Sequence, residues 1–497
     1  MNARGIGKAV LPAALAAFMA LAFASPAPAA PGAKPASAPA AVDRTKAPAL
    51  GRLPALRLPK VQVQQLSNGL ELAVVEMHEV PVVDVTLLVR AGAARDPGDL
   101  PGLATFVANM LDEGAGTRDA LALADEAQYL GATLSSGSDF ENAFVNLHCT
   151  KPRLGAALDL MADVVLRPAF ADSEIARQRE LRRTALVQLR DQATQIAPIA
   201  FNAIVMGEAH PYGRPLNGDD GSVARLDRDR VTGFHGTYYR PNNARLLVVG
   251  DVTPAEANSL AESRFGAWKA GDVPAPPAPA APAPEPRTFY LVDKPGAAQS
   301  VIRIGQPGVA RNTPDYFPLR VLNTILGGAF TSRLNQNLRE THGYTYGARS
   351  QFDMRRLPGT FVATASVATA KTDSSLIEFF KELRAIRDQA VPQAELDKAK
   401  AYLALGLPGE FEATADAAGQ FVELLANDLP LDEYDTFMDR IQKVTADDVQ
   451  RVARTYIDPG RFAVVVVGDR AAIEAGIKAL NEGPTAYRDL WGREPLP

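Results

Sequence analysis

The stretch "TYYRPNNARLLVVGDVTPAEA", Thr237 to Ala257, has a second version in "TYIDPGRFAVVVVGDRAAIEA", Thr455 to Ala475. Tyr238 aligns with Tyr456, Pro241 with Pro459 and Asp251 with Asp469, at one constant offset of 218 (456 − 238, for instance). Each version reads as a helix end, a Pro-marked turn, an apolar β-branched strand, and a Gly-Asp step into another helix. Further upstream, "NMLDEGAGTR" at Asn109 lies opposite "TILGGAFTSR" at Thr324, an offset of 215 (324 − 109). A shift this small over so long a stretch marks the chain as a tandem duplication. The repeated unit is about 200 residues, an ordinary domain size.

Working outward, both copies share a coarse order. Strands come first, "LELAVVE" and "VVDVTLLVR" in one, "TFYLVD" and "SVIRIGQ" in the other. Two helices follow, over 102–113 and 119–130 or 314–327 and 331–341. A strand pair comes next, then long helices such as 172–192 and 392–406, then the repeated strand and helix. Grouped strands and grouped helices imply an α+β fold of two homologous tandem domains, each a mainly antiparallel sheet packed with helices.

"GDVPAPPAPAAPAPEP", Gly271 to Pro286, separates the copies. Alternating Pro and Ala disfavour helix and sheet, so it reads as an extended linker. The domains are therefore 59–270 and 287–484, with a tail at 485–497. At the front, Arg4 and Lys8 precede an apolar run from Val10 to Ala24, and "AFA" at Ala22 to Ala24 supplies small residues for cleavage. Residues 1–24 read as a secretory signal peptide rather than a membrane span, and 25–58 as an Ala/Pro-rich disordered leader.

The 497 residues are 47% hydrophobic and 22% charged, with a net charge of −5. That balance carries no basic footprint for nucleic acid. Cys149 is the single cysteine, so no intramolecular disulfide can form, and it reads as a buried structural thiol. Export without disulfides suits a periplasm.

Five landmarks carry a resemblance: "LSNGLELAVVE" at Leu66, "RAGAARDPGDLPGLATF" at Arg90, "HPYGRPLNG" at His210, "YYRPNNARLLVVGD" at Tyr238 and "LGGAFTSRLNQNLRETHGYTYG" at Leu326. In this order, and with the duplication, the chain resembles the pitrilysin/insulinase superfamily of zinc metallopeptidases, including relatives of the mitochondrial processing peptidase. The resemblance spans about Val61 to Leu480 and implies that family's metallopeptidase-like architecture. In the family a helix carries H-x-x-E-H: two His one turn apart grip Zn²⁺, and the Glu activates water. A further Glu on a downstream helix completes the metal site.

On "GLATFVANML" the first His position is Thr105, the Glu position Ala108 and the second His position Asn109. The downstream ligand position falls near Thr184, in a segment carrying Arg177, Arg179, Arg182, Arg183 and Arg190 and no carboxylate between Glu180 and Asp191. Neutral hydroxyl and amide oxygens do not repay the dehydration of Zn²⁺. The five histidines, His78, His148, His210, His235 and His342, form no local chelating pair, and His210 reads as a turn residue. The expectation is no catalytic residue, metal or cofactor in this chain.

The resemblance implies one retained element. "NLRETHGYTYG" matches a family motif in which an Arg and a Tyr seven residues on contact substrate, here Arg339 and Tyr346. Gly343 is expected to end the helix and Tyr346 to begin a strand. The family also adds extended peptides to a sheet edge, and "GATLSSGSDF", Gly131 to Phe140, is the corresponding candidate. Together these imply the non-catalytic subunit of a periplasmic heterodimeric metallopeptidase, inactive alone. A homologous partner subunit would carry the zinc, and Arg339 and Tyr346 would hold extended peptide. No nucleic acid and no stable membrane anchor are expected. The alternative is a peptide-binding or structural scaffold with no part in catalysis.

Overall fold

Each copy builds one six-stranded sheet. In the first half the strands are β1 (Val61–Gln65), β2 (Glu71–Glu76), β3 (Val82–Val89), β4 (Thr133–Ser138), β5 (Ala143–Thr150) and β6 (Ala244–Gly250), in the order β1-β2-β6-β3-β5-β4. In the second they are β7 (Thr288–Asp293), β8 (Gln299–Pro307), β9 (Thr345–Met354), β10 (Pro358–Ala368), β11 (Ala463–Gly468) and β12 (Thr485–Arg488), in the order β12-β7-β11-β8-β10-β9. This computed structural model describes residues 58–495 except 277, 278, 281 and 284. The expected signal peptide, nearly all of the leader and part of the linker lie outside the described residues.

The repeated strands β6 and β11 sit inside their sheets. Each is parallel to one neighbour, β2 or β7, and antiparallel to the other, β3 or β8. The edge beside β2 and β7 is filled differently, by β1 antiparallel to β2 and by β12 parallel to β7. Residues 485–497, expected as a tail, are thus corrected: their first residues are a strand. Beyond it Trp491 is buried in the first half's core, and Arg493 pairs with Glu208 and Asp219.

The central strands are apolar on both faces because both faces are covered. Helices α1 (Leu103–Met110), α2 (Ala120–Tyr129), α3 (Leu154–Leu166), α4 (Asp172–Leu189) and α5 (Ala193–Met206) follow in the first half. α1 and α3 pack against β5, on the side where Leu72, Val74, Val85 and Leu87 point. The opposite face, with Ala73, Val75, Leu247 and Val249, belongs to the second half's core. There the helix Thr414–Ala426 lies across β3 and β6. The exchange is reciprocal. α5 leaves the first half and covers β8 and β11, with Ile196, Ala200 and Phe201 against Val301, Val465 and Val467. Gly305 makes room for this: a Cβ there would collide with the Phe361 carbonyl and stand 2.8 Å from the Phe201 ring.

The helices expected over 314–327 and 331–341 are each split. Tyr316–Asn323 passes into a π-helical turn over Thr324–Gly328, and Arg333–Asn335 into another over Gln336–Thr341. The first wide turn lays Gly327 against the backbone of β9, where a Cβ would overlap the Ser350 nitrogen. Among the described residues no helix is long and apolar enough to cross a membrane.

Candidate functional site

α1 begins at Gly102, whose φ of +90° and close approach to Gly218 exclude a side chain. Its free amides are capped from a distance. The Asp96 carboxylate accepts from Gly102 N and Ala104 N, each at 2.7 Å. Burial pushes this carboxyl up to about 7, against the two amide hydrogen bonds. Every residue of α1 is buried except Asn109.

The polar groups of α1 meet one side chain of α4. Thr105 is buried, and its hydroxyl donates to the carbonyl of Gly102 or Leu216, each 3.1 Å away. It accepts from Arg182 Nη1 at 3.0 Å, and the same Nη1 donates to Gly102 O at 2.9 Å. With the Asn109 amide turned to satisfy both ends, its oxygen accepts from Arg182 Nη2 at 3.1 Å and its nitrogen donates to Thr105 O at 3.2 Å. The guanidinium also lies 5.1 Å from the Phe106 ring centre. Arg182 is only 9% exposed, and burial brings its guanidinium down to about 10, with Asp96 opposing that shift.

The α4 side chain that reaches the motif positions is Arg182. Thr184, the expected ligand position, is exposed. The inward face of α4 is Ile175, Arg182 and Leu186, at helical spacing. The other arginines singled out turn outward or sideways: Arg177 to Glu113 and Glu174, Arg179 to Leu226 O, Arg183 to Glu180 and Arg190 to Asp220. Thr105, Ala108, Asn109 and Arg182 offer a hydroxyl, a methyl, an amide and a cation. That donor set does not fit Zn²⁺, which needs imidazole, thiolate or carboxylate. Among the described residues no group of three or more His, Cys, Asp and Glu is placed to hold a metal ion.

The histidines have other work. His235 bonds Val165 O, and burial pushes it down to about 4. His210 is buried and accepts from Tyr212 N, capping the turn Pro211–Gly213. His148 and His78 pair with Asp84 and Asp251. Cys149 is buried, which pushes its thiol up to about 11 and leaves it inert.

Beside α1 lies β4, the outermost strand of its sheet, paired only with β5. Ser136 Oγ donates to Ala108 O at 2.7 Å and holds this edge to the helix. Nothing lies within 4 Å of where a Gly137 Cβ would be. The candidate peptide edge is therefore a strand edge, next to the motif positions.

The second element is built as the sequence reads. Arg339 sits in the π turn Gln336–Thr341, Gly343 takes a φ of +63°, and Tyr346 is the second residue of β9. Tyr346 is 91% exposed. Arg339 pairs with Glu340 at 3.3 Å and stacks over Phe330, 4.6 Å from its centre. Phe330 was not singled out in sequence, yet it is 60% exposed. The buried Asn335 fastens this loop to the strand: its Nδ2 donates to Phe330 O at 2.6 Å, and its Oδ1 accepts from Ala348 N at 3.3 Å. A cation, a phenol and a bare phenyl ring thus flank the start of β9. They suit the carbonyls and side chains of a chain laid across them.

Comparisons with known proteins agree with this organisation. Residues 72–219 match a family model described as "Insulinase (Peptidase family M16)", and residues 225–403 one described as "Peptidase M16 inactive domain". An uncharacterised zinc protease of Mycobacterium leprae is 26% identical over 411 residues, 82% of this chain and 91% of that one. The beta subunit of the mitochondrial-processing peptidase of Lentinula edodes is 22% identical over 429 residues, 83% and 90% of the two chains. Among solved structures, the peptidase M16 inactive domain from Pseudomonas fluorescens superposes with a TM-score of 0.77 at 27% identity, over 82% of this chain and 98% of that one. A protease from Helicobacter pylori gives 0.76 at 21% identity, over 82% and 100%, a likeness of fold alone.

Proposed function

Because the chain belongs to the M16 (insulinase) peptidase superfamily, with an inactive-type second domain, we propose that it is the zinc-free subunit of a heterodimeric metallopeptidase. The observation that carries this reading is the face of α1 at the motif positions, where Ala108 offers only a methyl and Thr105 and Asn109 meet the Arg182 guanidinium. A homologous partner would supply the zinc and the water-activating carboxylate. This chain would supply grip. Arg339 would donate to a peptide carbonyl or carboxylate, and Tyr346 would add a phenol hydroxyl and an aromatic face. The β4 edge would take an extended peptide as a further strand. The leading segment would take the chain to the periplasm.

Co-expression with a homologous zinc-bearing subunit tests this. The expected outcome is co-purification and peptide turnover at least tenfold above either chain alone. Equal turnover with and without this chain would sink the proposal. In the active complex, Arg339→Ala and Tyr346→Phe are each expected to lower kcat/KM by about 10- to 100-fold, the loss of one charge-assisted or phenolic hydrogen bond. Unchanged turnover in both variants would favour a scaffold instead.

A further inference from the structure

We propose that the Arg182 guanidinium, seated against α1 beside the degenerate motif positions Thr105 and Asn109, excludes a metal ion from that site. The inference rests on the reading of α1 as the degenerate metal helix. It adds a physical reason why the site is closed, beyond the loss of two imidazoles.

Three observations converge on Arg182. First, it alone among the arginines of α4 turns inward and touches α1. Second, among the described residues no carboxylate lies within ion-pair distance of it. Its charge is met by neutral acceptors, the Gly102 carbonyl, the Thr105 hydroxyl and the Asn109 amide, and by the Phe106 ring. Buried charge is ordinarily paired; here it is solvated by the dipoles that surround the motif positions. Third, its contacts span α1 from Gly102 to Asn109 and include both positions, 105 and 109, that a metal would pin. The guanidinium therefore holds α4 to α1 as a built-in cation. A second cation at the same place meets both its volume and its charge.

The consequence separates two ways of losing a metal. If only the ligands were lost, restoring histidines at 105 and 109 would bring zinc back. If Arg182 blocks the site, those histidines are not enough. The test is a titration of chelator-stripped full-length chain with Zn²⁺ alone, followed by calorimetry and an indicator competition. Four proteins are compared: wild type, Thr105→His/Asn109→His, the same pair with Arg182→Glu, and the same pair with Arg182→Met. The Glu triple variant is expected to take up one Zn²⁺ per chain at least 100-fold more tightly than the double variant. The Met variant removes the charge without adding a ligand and is expected to gain about tenfold over the double. Circular dichroism and thermal melting check that each is folded. Should the Glu variant fail to fold, the Met variant decides.

A double variant that binds zinc as tightly as the folded triple variants overturns the role of Arg182. So does a folded Met variant that is no tighter than the double, because a gain in the Glu variant alone reports only an added ligand. Neither result touches the proposed zinc-free subunit. That reading falls on a different outcome, one tightly bound Zn²⁺ in the wild type.

Discussion

At the scale of single residues, Asp96 and Arg182 show what sequence periodicity can and cannot say about a site. The helical spacing of "GLATFVANML" places Thr105, Ala108 and Asn109 correctly relative to one another. It does not phase α4, where apolar and charged residues are mixed around the helix. No carboxylate marks the inward position, and the side chain that reaches α1 is Arg182, about half a turn from Thr184. Asp96 was not singled out either, because a cap reaching forward six and eight residues leaves no local signature. Its raised carboxyl has a measurable consequence. Its folded value lies near 7 and its ordinary value is 3.8, so between these the native state holds the proton more tightly. The contribution of Asp96 to stability therefore falls as pH rises through that window and is flat above it. Urea unfolding of wild type and Asp96→Asn at about pH 5 and about pH 7.5 should show wild type losing ground to the variant as pH rises. No change between the two pH values would mean that the two amide hydrogen bonds keep the carboxylate charged throughout.

At the scale of elements, the strand assignments were legible because β2, β3, β6, β8 and β11 are short β-branched runs bounded by turns. The break at Gly343 and the start of β9 were legible for a related reason, since a helix ending in Gly followed by Tyr-Thr-Tyr has a local cause. The wide turns at Thr324–Gly328 and Gln336–Thr341 were not, because they answer to the close approach of Gly327 to β9. α5 was readable as apolar, but which sheet it covers was not. Its role gives a direct test. Phe201→Ala removes a ring buried between α5 and β8 beside Gly305, and is expected to cost about 3–5 kcal/mol. Chemical denaturation would measure it, and a loss well under 1 kcal/mol would mean α5 is not a load on the second half's core.

At the scale of the whole molecule, the exchange of helices makes the two halves one cooperative structure. Each sheet has one face in its own core and one in a core completed by the other half. Polar ties reinforce the junction. Thr414 Oγ1 donates to Asp84 Oδ2 at 2.6 Å, and Asp428 is shared by Arg90, Arg245 and Arg356. The C-terminal segment closes the same arrangement, with β12 on the second sheet and Trp491 in the first core. Calorimetry should therefore show one unfolding transition for both halves. Truncation after residue 484 should lower its midpoint, since it removes a strand and a buried indole together, about 3–5 kcal/mol for the indole alone. Two well-separated transitions would contradict shared cores.

The sequence by itself determined the duplication, the central strands of both sheets, the loss of ligand chemistry from α1, and the helix-to-strand break between Arg339 and Tyr346. These are written in residue type and local spacing, which fix turns, faces and donor chemistry. Only the tertiary structure decided that Arg182 fills the place beside Thr105, that Phe330 stacks on Arg339, that the last strand closes the second sheet, and that each half is completed by a helix of the other. Those depend on contacts between residues tens to hundreds of positions apart. A periodic pattern says that a face must be buried, but not against what.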